Sequence, residues 1–136
     1  MNLLNGPVFK RLEGAISAAE LRQKVVSNNV ANADTPNFKR SEVLFEELLA
    51  QQMGNQTSQI NGKRTDSRHF VIGQSDSVPG ASIVADANTV MNNNSNNVDI
   101  EREMALLAKN QLTYNYYIQQ VNHDMRMIRT AIEGRA

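Results

Sequence analysis

The residues able to do chemistry are few and scattered. A chain of 136 residues holds no cysteine, which removes disulfides, thiolate nucleophiles and cysteine metal sites. Its 2 histidines, His69 and His123, stand far apart. Neither has a second histidine at ligand spacing, so zinc is not expected and both read as solvated or structural. Asp99, Glu101 and Glu103 form an acidic cluster that acid–base or metal chemistry could use. They stand where a helix begins, however, and there carboxylates serve the cap and the dipole. There is no glycine-rich phosphate loop, no nucleophile elbow and no credible Ser/His/Asp set. No catalytic residue, cofactor or metal is expected.

Tyr114, Tyr116 and Tyr117 invite comparison with base-stacking surfaces. Nucleic-acid binding, however, rests on a basic excess that neutralises phosphates. Here 14 basic side chains meet 14 acidic ones, and the balance holds segment by segment. Nucleic acid is therefore not an expected partner. The tyrosines read as one helix-seam residue and two interface residues. Met104, Met125 and Met127 read as adaptable helix packing. Lys10-Arg11 lies at the positive end of a helix dipole, as a solvated turn or as a contact to a neighbouring subunit.

The elements that carry these residues divide the chain in three. A helix is expected from Pro7, which suits a first turn, through Asn32, and it stops at Asp34-Thr35-Pro36. Leu12, Ile16, Ala19, Val26 and Val30 form its seam, with Gln23 in the one polar place. A shorter helix is expected after Ser41 as N-cap, with Leu44, Phe45, Leu48, Leu49 and Met53 on its apolar face and Gly54 at its end. Residues 55–97 are rich in Asn, Ser, Gln and Gly and read as loop. Two short clusters in that stretch, Phe70-Val71-Ile72 and Ile83-Val84, are candidates to pair as strands.

The last third carries the strongest signal. Ile100, Met104, Leu107, Gln111, Tyr114, Ile118, Val121, Met125, Ile128 and Ile132 follow an unbroken alternation of four and three. Asp99 is placed to cap this helix and Gly134 to end it, with Arg126, Arg129 and Arg135 favouring its negative pole. Such a seam needs a partner helix. Set antiparallel, the first helix offers Val30 to Met104, Val26 to Leu107, Gln23 to Gln111, Ala19 to Tyr114, Ile16 to Ile118 and Leu12 to Val121. The two glutamines would then satisfy each other. Met125, Ile128 and Ile132 run on past the partner, and another subunit is their natural cover.

The expected fold is thus mainly α. Long N- and C-terminal helices pair as an antiparallel coiled coil, with a short second helix and a loop-rich middle that holds short strands. Residues 1–53 and 98–136 form the helical domain, and 54–97 a polar insertion. No apolar run approaches the ~20 residues of a transmembrane segment. The opening Met1-Asn2-Leu3-Leu4-Asn5-Gly6-Pro7 lacks the basic start and apolar run of a cleaved signal.

The end of the first helix is of a different kind. Asn28-Asn29-Val30-Ala31-Asn32, continuing as Ala33-Asp34-Thr35-Pro36-Asn37-Phe38-Lys39, resembles the signature of bacterial flagellar rod, hook and related axial proteins, most nearly their proximal-rod members. Asn97-Val98-Asp99-Ile100-Glu101-Arg102-Glu103-Met104-Ala105, then Leu107-Ala108-Lys109-Asn110 and Tyr114, support the resemblance. Asn37 replaces an expected glycine, which asparagine tolerates because it accepts left-handed geometry. The signature residues are Asn28, Asn29, Asn32, Asp34, Thr35, Pro36 and Phe38, with Phe38 folding back as an apolar plug.

The resemblance implies a non-enzymatic subunit of the flagellar basal body, a periplasmic rod piece that transmits torque and lines the export channel. It implies type III export without a cleaved signal. The partners it implies are copies of itself, other proximal-rod proteins, the rod–ring junction protein, and the export gate or membrane ring. A cytoplasmic coiled-coil adaptor or secretion chaperone is the alternative.

Overall fold

The computed structural model describes residues 6–54, 68, 78–87, 89 and 95–134. The first helix, α1, spans Pro7–Ala31, with Pro7 in its first turn behind an extended Gly6. Asn32 is its C-cap rather than its last residue. The long helix α3 spans Ile100–Glu133. The Asp99 side chain accepts the Arg102 N–H at 3.2 Å and so caps the start. Gly134 ends α3 at φ 64°, donating its N–H to the Thr130 carbonyl at 3.0 Å. The expected basic complement at that end is displaced. The last turn holds no basic residue, Arg126 and Arg129 stand further back, and Arg135 lies outside the described residues.

Between the long helices the chain departs from its expected course. Ser41 does not cap a helix. Ser41–Leu44 is a strand, β1, and the second helix, α2, begins only at Glu46 and runs to Gly54. The physical reason is a contact from α1. The Asn29 side chain engages both backbone groups of Ser41, and Val43 is buried, so the segment is held extended. Glu46 and Glu47 then serve the positive pole of α2.

The partner of β1 is β2, Ser82–Ala85, antiparallel, with Val43 opposite Ile83 and Glu42 opposite Val84. Ile83-Val84 therefore pairs with β1. Its expected partner Phe70-Val71-Ile72 lies outside the described residues, as do His69 and most of the asparagine-rich run.

Helices α1 and α3 lie against each other and run in opposite directions. Asn29 near the end of α1 reaches Glu103 near the start of α3, whereas Ala19 is met by Asn110. The buried apolar residues gather at this end: Ala18, Ala19, Val25 and Val26 on α1, with Ala33, Val43, Phe45 and Val98 around them. Gly14 lets Phe45 and Val78 come close to α1. A Cβ there would stand 2.9 Å from the Val78 side chain and 3.3 Å from the Phe45 ring. No residue of α3 beyond Asn110 is buried, and none of α1 before Ala18. Among the described residues no helix is long and apolar enough to cross a membrane.

Phe45 is the largest apolar side chain of this cluster, only 2% exposed. Phe45→Ala is expected to cost about 3–5 kcal/mol. Thermal melts followed by circular dichroism should show Tm lower by roughly 10 °C or more.

Candidate functional site

One polar residue of the signature, Asn29, enters a buried knot between the helices. Glu103 is 0% exposed, yet both its carboxylate oxygens are engaged. Oε1 accepts from Arg40 Nε at 2.7 Å and Oε2 from Asn29 Nδ2 at 2.9 Å. The Asn29 amide also donates to the Ser41 carbonyl at 2.8 Å, and its Oδ1 accepts the Ser41 N–H at 3.0 Å. Asn29 thus pairs with β1 much as a neighbouring strand would, while tying it to α3. Arg40 reaches on to Glu42 Oε2 at 2.7 Å. Burial opposes the charge on Arg40, but the hydrogen bonds and charges of Glu42 and Glu103 outweigh it and raise its pKa. The guanidinium stays charged.

A second layer of amides closes the chain around this ion pair. Asn96, also fully buried, presents Nδ2 to the carbonyls of Asn32, Ala33 and Thr35 at 2.8–2.9 Å. Two N–H groups thereby serve three acceptors, so one bond is shared. Its Oδ1 accepts the Val98 N–H at 2.7 Å. Asn97 accepts the Arg40 N–H at 2.6 Å and donates to the Asp86 carbonyl and Thr89 Oγ1. Lys39 Nζ donates to the carbonyls of Thr89 and Ser95, each at 3.0 Å.

The signature residues divide their work around these amides. Asn32 Nδ2 donates to the Asn28 carbonyl at 2.8 Å, and Asn32 Oδ1 accepts from Thr35 Oγ1 at 3.3 Å. Asp34, Thr35 and Pro36 are exposed, and what Thr35 gives the knot is its carbonyl. Asn37 takes the left-handed conformation at φ 61°. Phe38 is half-buried, so the plug expected of it is partial. The turn is filled instead by Ala33 and the Asn96 amide. Of the acidic cluster, Asp99 is the cap, Glu101 is exposed, and Glu103 is not a dipole carboxylate but half of an ion pair.

The seam of α3 also differs from expectation. Glu103 and Asn110 face α1, whereas Met104 is 51% exposed and Gln111 is exposed too. Gln23 Oε1 accepts from Asn110 Nδ2 at 3.3 Å, so its partner is Asn110 and not Gln111. A line of buried and half-buried residues on α3 runs through Glu103, Leu107, Asn110, Tyr114, Tyr117, Val121, Asp124 and Ile128. It shares every second position with the expected seam. Ile100, Met104, Ile118, Met125 and Ile132 are left exposed on its flank. On α1, Ala19 and Val26 are buried, and Leu12, Ile16, Gln23 and Val30 half-buried. The placement of α3 is therefore a rotation: the heights along the helices agree within about a residue, and the face does not.

Reading by residue type missed Arg40 and Asn96, assigned Glu103 to the helix dipole, and met Asn97 and Asn110 only in the resemblance. One available signal is that Glu103 and Asn110 stand seven residues apart, in line with Tyr117 and Asp124. Among the described residues, Asn110 Oδ1 is the buried side-chain polar atom left without a partner. Such an atom costs about 1–3 kcal/mol.

Removing one member of the ion pair strands the other, so Glu103→Ala is expected to cost about 3–5 kcal/mol. Glu103→Gln, which retains hydrogen-bonding oxygen, should lose less. Urea unfolding of both variants checks the order, and equal losses would contradict the ion pair.

The comparisons with known proteins converge on these same segments. Residues 11–39, from α1 through the turn into the knot, match the family described as flagella basal body rod protein. The flagellar basal body rod protein FlgB of Bacillus subtilis is 39% identical over 134 residues, 98% of this chain and 98% of the relative. The FlgB of Borreliella burgdorferi is 35% identical over 123 residues, 87% and 90% of the two chains. That of Aquifex aeolicus is 33% identical over 115 residues, 85% and 84%. The adaptor or chaperone alternative finds no support among them. With the rod signature folded into the knot and relatives matched along nearly the whole length, the chain belongs to the FlgB family of flagellar basal body rod proteins, structural subunits and not enzymes.

Proposed function

We propose that this subunit builds the proximal rod through its two terminal helices, paired as an antiparallel coiled coil, and that neighbouring copies cover the exposed flank of α3. The supporting observation is that flank itself. Ile100, Met104, Ile118, Met125 and Ile132 recur along one side of a 34-residue helix and are exposed. Leu107, Tyr114, Val121 and Ile128, on the inner line of α3, are half-buried. Covering such a flank is driven at about 25 cal/mol per Å² buried. Residues 1–53 and 98–136 act as the rod-core domain, with 54–97 as its polar insertion.

The knot sets the geometry of that assembly. It fixes the rotation of α3 relative to α1, so each subunit presents the same apolar line at the same angle. A wall built of such subunits carries torque through packed helices and surrounds an export channel. Partners in keeping with this reading are further copies, other proximal-rod proteins, the rod–ring junction protein, and the export gate or membrane ring. It also implies passage through the type III apparatus without a cleaved signal, into the periplasmic rod.

Ile118→Asp is expected to abolish incorporation into the rod, and with it motility, while Ile118→Val retains both. Normal swimming with the aspartate would refute the packing. Hydrogen exchange offers a second check. Residues 111–134 should exchange fast in a proven monomer, since helix without buried contacts is marginal, and slowly in isolated basal bodies. Full protection in the monomer would count against the reading.

A further inference from the structure

The far end of α3 outruns its partner helix. Asn29 meets Glu103 and Gln23 meets Asn110, so Pro7, where α1 begins, stands level with about residue 125 of α3. The last two turns of α3 extend beyond it. Val121, Met125, Ile128 and Ile132 fall within about 60° of one another around this stretch. Met125 is 39% and Ile132 72% exposed, while Val121 and Ile128 are half-buried. Spaced four, three and four apart, they form a coiled-coil seam without its second strand.

That seam is self-complementary. Set antiparallel against the same stretch of a second copy, Val121 lies opposite the copy's Ile132 and Met125 opposite its Ile128, and the two-fold axis repeats both contacts. The helix ends carry an independent observation. α1 has no acidic residue in its first turn and holds Lys10 and Arg11 just inside its start, against its own positive pole. α3 has no basic residue in its last turn and holds the exposed Glu133 there, against its own negative pole. Among the described residues none of these three charges has an ion-pair partner. In the register that aligns the seam, the copy's Glu133 comes within about a residue of the level of Arg11. Each misplaced charge then stands beside its opposite, and each helix pole beside the opposite pole. A parallel, in-register pair would set like beside like.

We propose that free subunits pair through residues 121–133 of α3, antiparallel and two-fold symmetric, with Glu133 of each copy against Lys10 and Arg11 of the other. Because both copies use the same patch, the contact closes on itself and stops at two chains. Four apolar side chains from each copy make a small interface, of the size that holds transient pairs, with a dissociation constant in the micromolar to millimolar range. The pairing itself is independent of the rod-subunit reading, and its consequence for assembly rests on it. Met125 and Ile132 belong to the flank assigned there to neighbours, and two copies facing opposite ways cannot both follow one rod polarity. The pair is thus a state of the free subunit that opens before either copy is incorporated.

Sedimentation of the purified full-length chain over a concentration series tests the pairing. A reversible dimer is expected, and nothing larger. Arg11→Glu and Glu133→Lys, shown folded by circular dichroism, should each weaken it on the order of 10-fold, because two contacts per dimer turn repulsive. Mixed in equal amounts, the two variants should dimerise as tightly as the original chain, since the reversed charges then face each other and one native contact is kept. Should Arg11→Glu fail to fold, Lys10→Glu takes its place. Ile132→Asp alters a side chain exposed in the single subunit, so it should leave the fold intact and abolish the dimer. A chain monomeric up to about 1 mM, an open series of larger species, a dimer indifferent to the charge variants, or a mixture no tighter than its parts would overturn the pairing. None of these outcomes touches the rod reading, which falls instead if the chain is absent from purified basal bodies.

Discussion

A carboxylate withdrawn from water governs this fold. An isolated charge in that position would be prohibitively unstable, so Glu103 can turn toward α1 only if a cation and further donors come with it. Arg40 and Asn29 meet that demand, and each brings a constraint of its own. Arg40 must sit on a segment extended enough to reach Glu103, and Asn29 holds that segment extended by bonding both backbone groups of Ser41. The strand β1, the late start of α2 and the angle at which α3 lies on α1 are consequences of satisfying one buried charge.

That angle is not the one apolar burial alone would select. Turned to bury Met104 and Ile118, α3 would gain contacts within the subunit, and Glu103 and Asn110 would lose theirs. The observed rotation favours the polar line, leaving apolar side chains on the outside of the pair. Buried ion pairs are weak sources of stability and better at choosing one arrangement among several. Here the choice leaves the apolar flank of α3 exposed, the surface that the proposed packing would use.

Much of the fold was legible because it rests on local chemistry. Pro7, Asp99 and Gly134 mark helix ends by their own backbone and side-chain preferences, and Asn37 announced a left-handed residue. The mainly helical class followed from periodicity. The rotation of α3 did not. A heptad pattern shows which residues are apolar, but Glu103 prefers the interior only because Arg40 and Asn29 meet it there, 63 and 74 positions away along the chain. Ser41 misled for a related reason. Serine before an apolar run is a good helix cap, and only the reach of Asn29 makes it a strand instead. The asparagines at 96 and 97 read as loop because asparagine bonds backbone readily. In this protein the backbone they bond belongs to the turn after α1 and to the segment at Asp86.

The distribution of burial suits a subunit that is stable at one end and adhesive at the other. The knot draws on α1, the turn after it, β1, the segment near Asp86 and the start of α3, so it forms only when distant parts of the chain have come together. It contains no cysteine and, among the described residues, no cluster able to hold a metal ion, so its formation depends on hydrogen bonds, one ion pair and packing. Beyond Asn110, α3 extends for more than half its length with nothing buried. A helix so weakly held gains much of its order from whatever packs on it, which couples the ordering of that helix to its place in an assembly. The polar end therefore decides what shape the subunit has, and in the proposed assembly the apolar end would tie the completion of that shape to the arrival of a neighbour.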